Sequence, residues 1–150
     1  MNEYLELLNG IRDKKLTCNY AILCELDSTV IEFLRCYEIT PFTKEIYITH
    51  KGLSHLMRDS KKRRGAGVIE DDLERLPLLL CNADAVIFDT QSSRLNLLYI
   101  SHSNEKYIKI VVNPKGYDKK MGKLTLVQTA GMVQKENLHD KRYRVIKGAI

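Results

Sequence analysis

Ile46-Tyr47-Ile48-Thr49-His50-Lys51-Gly52-Leu53-Ser54-His55-Leu56 changes periodicity part-way along its length. Glu45-Ile46-Tyr47-Ile48 is a short β-like run. Thr49 is a residue type that caps helices, and Leu53, Leu56 and Met57 then recur at helical spacing. The pattern predicts a strand, a cap and a helix from His50 to about Lys62, ending in the loop Arg63-Arg64-Gly65-Ala66-Gly67. At about 100° per residue, Leu53, Leu56 and Met57 define the buried face of that helix. His50 falls near the edge of this face, and His55 lies well away from it, towards Gly52 and Asp59. Packing does not explain a histidine on the open face of a core helix, so His55 is either ordinary surface or part of a site.

Upstream of Pro41, residues 1–40 read as helical. Tyr4, Leu5, Leu7, Leu8 and Ile11 make an apolar stripe that Asn9-Gly10 can interrupt, and Tyr20 to Tyr37 carries a second one. Asp27 or Ser28 is placed to cap a helix within that second stretch. Downstream, Asp71 or Asp72 opens a short helix through Leu73, Leu76, Leu79 and Leu80. Strands are expected at Ala85 to Asp89, Leu95 to Ser101, Lys106 to Val112 and Leu124 to Thr129, with Tyr143 to Ile146 a last strand or a tail. Gln91-Ser92-Ser93 and Asn113-Pro114-Lys115-Gly116 supply breaks. Helices followed by a meander of antiparallel strands imply an α+β fold, with a helical N-terminal subdomain at 1–40 and a core of sheet packed against helices at 41–150.

The chain has 150 residues, 44% of them hydrophobic and 29% charged, which suits one folded domain and excludes a disordered tail. No stretch approaches the roughly 18 apolar residues of a membrane span. Met1-Asn2-Glu3-Tyr4 is acidic where a signal peptide would be basic, so no export signal is expected there. Cys18, Cys24, Cys36 and Cys81 form no C-x-x-C pair, and the apolar settings of the last three suit buried reduced thiols. Lys and Arg number 24 against 19 acids, a net charge of +5. The basic residues gather at Lys61-Lys62-Arg63-Arg64, from Lys115 to Lys123 and from Lys141 to Lys147. Such clusters fit either a polyanion surface or a solvated one.

Elimination narrows the chemistry. His50 and His55 are five apart, not the four of a helical zinc pair, and no D-x-D cluster appears, so no metal or other cofactor is expected. Gly65-Ala66-Gly67 lacks the ending of a P-loop, and the hydrolase elbow G-x-S-x-G is missing. His102 and His139 lie in polar, turn-like sequence and read as surface. Metal-free RNA cleavage needs only a base for the 2′-hydroxyl, an acid for the leaving oxygen and donors for the phosphorane charge. Histidine, lysine and hydroxyl side chains, which this chain has, supply all three.

The segment order over residues 45–147 resembles the phage-associated nucleases of the barnase–EndoU–colicin–RelE superfamily. The strand, Thr49 cap and helix-borne His55 between Leu53 and Leu56 are similar to the opening of that pattern. Leu73-Glu74-Arg75-Leu76-Pro77 through Asn82-Ala83-Asp84-Ala85-Val86 resembles its leucine–proline segment, with Ala83 where a proline is usual. Leu95 to Ile100, Tyr107 to Val112 and Leu124 to Ala130 match its remaining strands, the last containing Val127-Gln128-Thr129-Ala130. Ser60 stands where many members carry a second histidine, a gap that His50 could fill.

The resemblance implies a toxin-type endoribonuclease acting in the cytoplasm on RNA, with tRNA a candidate target. It further implies delivery within a larger secreted or phage protein and a cognate acidic immunity protein. Carried over, His55 is the general base or acid and Thr129 a phosphate-contacting hydroxyl. Lys109, mid-strand, either points into the cleft or snorkels at a sheet edge. The three are expected to face one another across the fold. Lys61, Lys62, Arg63, Arg64, Lys119, Lys120 and Arg94 are candidates for binding the RNA backbone. The competing reading is a nucleic-acid- or partner-binding module that keeps the fold without the chemistry.

Overall fold

Thr49 turns the chain from strand into helix with its own side chain. The Gly52 N–H donates to Thr49 Oγ1 over 3.0 Å, satisfying one of the donors that a helix start leaves free. The computed structural model describes residues 2–62, 70–91, 95–103 and 105–150. In chain order the first elements are α1 (Asn2–Arg12), β1 (Tyr20–Glu25), α2 (Ser28–Cys36), β2 (Glu45–Thr49) and α3 (His50–Lys62). Then come α4 (Glu70–Glu74), α5 (Leu76–Cys81), β3 (Ala85–Asp89), β4 (Leu97–Ser103), β5 (Lys106–Asp118) and β6 (Gly122–Val133). A 3-10 turn at Lys135–Leu138 precedes the last strand, β7 (Tyr143–Gly148).

The strands form one seven-stranded sheet in the order β1-β2-β6-β5-β4-β3-β7. Every pairing is antiparallel except β2 with β6, which run parallel. The architecture is mixed α and β with a mostly antiparallel sheet and a helix first. Among the described residues, all five α-helices feed the larger core on one face. Tyr4, Leu7 and Leu8 of α1, Val30 and Leu34 of α2, and Leu53 and Leu56 of α3 pack there with Ile46, Ile48, Ile108 and Ile110 of the sheet. The opposite face carries a smaller cluster, in which Leu138 of the 3-10 turn joins Ile87, Leu98, Ile100 and Val111. Consecutive residues of β5 thus serve two different cores, as strand alternation requires.

Several sequence readings change, among them the buried thiols expected at Cys36 and Cys81, which are exposed. Tyr20–Glu25 is a strand, not helix: Ala21 and Leu23 are buried while Tyr20 and Ile22 are exposed, a period of two that the neighbouring apolar residues disguise. It pairs antiparallel with β2, so this N-terminal segment belongs to the same sheet as the rest. Asn113-Pro114-Lys115-Gly116 does not end a strand. β5 runs through it, and the register shift between Asn113 and Gly116 absorbs the proline, which has no N–H for the ladder. The helix expected after Asp71 is two short ones, α4 and α5, divided at Arg75 just before Pro77.

Asp27 is the cap of α2, accepting the Val30 N–H at 3.0 Å, and its other oxygen meets the Lys147 ammonium of β7. Burial works to raise this carboxyl, but the Lys147 contact and the backbone donors favour its charged form and hold it below the usual aspartate range. A depressed carboxyl stabilises the fold at neutral pH and loses that contribution as pH falls through its folded pKa. Asp27→Ala should therefore cost about 1 kcal/mol at neutral pH, chiefly through the lost cap because the ion pair is partly exposed. Thermal melts should show the gap to wild type narrowing in acid. A gap independent of pH contradicts the charged-cap account.

Candidate functional site

Where β2 ends and α3 begins, the fold leaves an open cavity of about 1110 Å³. Its walls come from the α1–β1 loop, the first turns of α3, the β5–β6 hairpin and the middle of β6. Lys14 and Lys15 line it from the first, Lys51 from the second, and Lys119 and Lys120 from the third. Asp118 is the one acid on the wall among the described residues. Its Oδ2 accepts the N–H groups of Lys120 and Met121, each at 3.0 Å, and so shapes the hairpin tip. Gly122, at φ +87°, completes the turn in a conformation that other residues rarely adopt. Five lysines against one aspartate make the cavity attractive to anions.

Both α3 histidines line this cavity. His50 is half-buried, and its N–H donates to Asn19 O at 2.8 Å, tying the helix start to the loop before β1. His55 is exposed, and its Nδ1 lies 3.2 Å from a guanidinium nitrogen of Arg58. A guanidinium can only donate, so Nδ1 accepts, and the neutral ring carries its proton on Nε2. Two imidazoles beside a set of ammonium groups can move protons and neutralise charge on a bound phosphate.

The α1–β1 loop is held over α1 by a helix-ending motif. Lys15 N–H donates to Gly10 O at 2.8 Å and Lys14 N–H to Ile11 O at 3.2 Å, with Lys14 at φ +56°. Gly10 is required because a Cβ there would sit 2.7 Å from Thr17 Oγ1 and 2.8 Å from Lys15 O. Asn9-Gly10 therefore does not break α1; it lets the loop lie against it. Glycine is the usual occupant of Lys14's left-handed position, so a lysine there gives up backbone stability for a charge on the cavity wall. Lys14→Gly is expected to raise the melting temperature while weakening the cavity's affinity for an inorganic phosphate probe. A variant that gains stability with unchanged phosphate affinity would show that Lys14 adds nothing to the cavity's attraction for anions.

The sheet divides the expected residues. Lys109 lies between Ile108 and Ile110, which face the helices, and opposite Ile100 of the smaller core, so it sits on the face away from α3. Thr129 pairs with Val111 and is exposed on that same face. The expected convergence of His55, Lys109 and Thr129 is thus not formed. A bulge is the reason. Val111 faces Thr129 while Val112 faces Val127, leaving Gln128 as the extra residue, and Gln128 lines the cavity instead. His102 stacks on Tyr107 with centroids 4.7 Å apart, on the face that carries Lys109. Lys119 and Lys120 do meet the histidines around one cavity. Lys61 and Lys62 belong to the last turn of α3 and their side chains, like that of Ser60, lie outside the described residues, as do Arg63, Arg64 and Arg94 altogether.

Sequence reasoning passed over Lys14, Lys15, Lys51 and Gln128. Only the Lys14-Lys15 pair after α1 offered a signal, and it reads equally as an ordinary helix end. None of the four cysteines lines the cavity, and Cys24 is pushed up to about 12 by burial and the adjacent Cys81 thiol, a poor setting for a nucleophile. Among the described residues no three His, Cys, Asp or Glu side chains are grouped to hold a metal ion, and no helix is long and apolar enough to cross a membrane. No protein-family model, curated protein or solved structure matches this chain.

Proposed function

We propose that the chain is a metal-independent endoribonuclease domain that takes a phosphodiester of RNA into the cavity between the α1–β1 loop and α3. The observation that carries this reading is the meeting of His50 and His55 with five lysines around one wall whose single carboxylate is engaged in a turn. His50 removes the proton of the 2′-hydroxyl, whose oxygen attacks phosphorus. The P–O5′ bond breaks, leaving a 2′,3′-cyclic phosphate, and the leaving oxygen takes a proton. With Arg58 on Nδ1, His55 offers Nε2–H to a phosphate oxygen as a neutral donor. Its acid role requires a second proton on Nδ1 and displacement of the exposed Arg58 side chain. The lysines offset charge on the phosphorane. In this reading the domain is a toxin of the superfamily it resembles, delivered within a larger protein, and an acidic immunity protein covers the cationic cavity.

One observation favours the non-catalytic alternative: Lys109 and Thr129 stand on the other sheet face and add nothing to the cavity. Incubating the purified protein with total RNA and with tRNA in EDTA separates the two. Cleavage to 2′,3′-cyclic phosphate and 5′-hydroxyl ends supports the nuclease. RNA that is bound but intact supports the binding module, and activity that magnesium alone restores rejects the mechanism.

A further inference from the structure

Among the described residues, the two most exposed large apolar side chains are Leu16, 71% exposed, and Tyr117, 66% exposed. They come from separate segments, the α1–β1 loop and the β5–β6 hairpin, yet both line the cationic cavity. Elsewhere an exposed ring is covered by the protein itself: Phe42 has the Lys115 ammonium 4.3 Å and that of Lys123 5.4 Å from its centroid. Tyr117 has neither a ring nor a cation against it among the described aromatic contacts. Its backbone is nevertheless held in place, because Asp118 and Gly122 shape the adjoining hairpin tip. An exposed aromatic face among ammonium groups suits an unpaired nucleobase, since every base has a π-face and its phosphates carry the opposite charge.

We propose that Tyr117 and Leu16 hold an unstacked base of single-stranded RNA, Tyr117 by stacking and Leu16 by apolar contact at its edge. Lys14, Lys15, Lys119 and Lys120 hold the adjoining phosphates. The proposal rests on the RNA reading of the same cavity and narrows its substrate to single strands, loops and unpaired ends. A base inside a duplex keeps its own stacking partners and cannot offer its face.

The test measures binding by fluorescence anisotropy, using a short labelled 2′-O-methyl single strand, which has no 2′-hydroxyl to attack, and a duplex of the same composition. Tyr117→Ala should weaken the single strand about tenfold to a hundredfold, the range that one base–aromatic stack provides. Tyr117→Phe should bind as wild type, Leu16→Ser should lose severalfold, and duplex affinity should hardly move. Both side chains are exposed, so the variants should melt with the wild type. Tyr117→Ala binding the single strand normally, or losing both RNA forms equally, overturns the stacking proposal and leaves the cavity's RNA reading standing. Wild type that binds neither form overturns both.

Discussion

His55→Ala and His50→Ala are each expected to lower RNA cleavage by about 10²–10⁴, the range of one general acid or base. The double variant should fall little further, because two groups that pass protons in one reaction act as a unit. Stability should separate the two sites of change. His55 is exposed, so its replacement should alter unfolding free energy by no more than about 0.5 kcal/mol. His50 is half-buried at the start of α3, and a modest loss is expected there. Initial rates on a labelled RNA, together with thermal melts, check both. Full activity in a folded His55→Ala protein removes that histidine from the mechanism.

The second large effect concerns binding. Changing Lys14, Lys15, Lys119 and Lys120 together to glutamine should weaken RNA binding and flatten its dependence on salt. Each phosphate neutralised on a single strand contributes about 0.7 to the slope of log K against log salt, so four contacts lower that slope by about 3. Lys109→Gln, on the opposite sheet face, should leave the slope unchanged. A slope lost with Lys109 and kept without the four cavity lysines would move the RNA to the other side of the sheet.

Local patterns were legible where one signal governed the outcome. Thr49 marked the strand-to-helix turn, and the spacing of Leu53, Leu56 and Met57 set the buried face of α3 because one apolar stripe met one core. Ala85–Asp89 was equally plain, since every residue of β3 is buried. The errors arose where two signals overlapped. In β1, exposed Ile22 stands beside buried Leu23, so the alternation is hidden by composition. In β5, proline and glycine looked like a stop, but a bulge accommodates both.

The site was only half legible for a related reason. Helical spacing places His50 and His55 without reference to any other element. The facing of Thr129 depends on a bulge at Gln128, and one extra residue exchanges the two faces of a strand. Lys109 could not be assigned to a face until the alternation of β5 was known from its partners, Ile100 and Gly131. Lys14 and Lys15 reach the cavity only because Gly10 lets their loop lie close to α1, a contact no linear pattern announces.

The central claim is that RNA occupies the α3 side of the sheet, between His50 and His55. The four histidines of this chain report on it directly. Titrating the protein with a 2′-O-methyl single strand and following the imidazole Cε1–H resonances by NMR samples both faces at once. His50 and His55 should shift with a common saturation curve, while His102, stacked on Tyr107, and His139 should remain in place. Saturable shifts at His102 with His50 and His55 unmoved would contradict the account and assign the RNA to the face that carries Lys109 and Thr129.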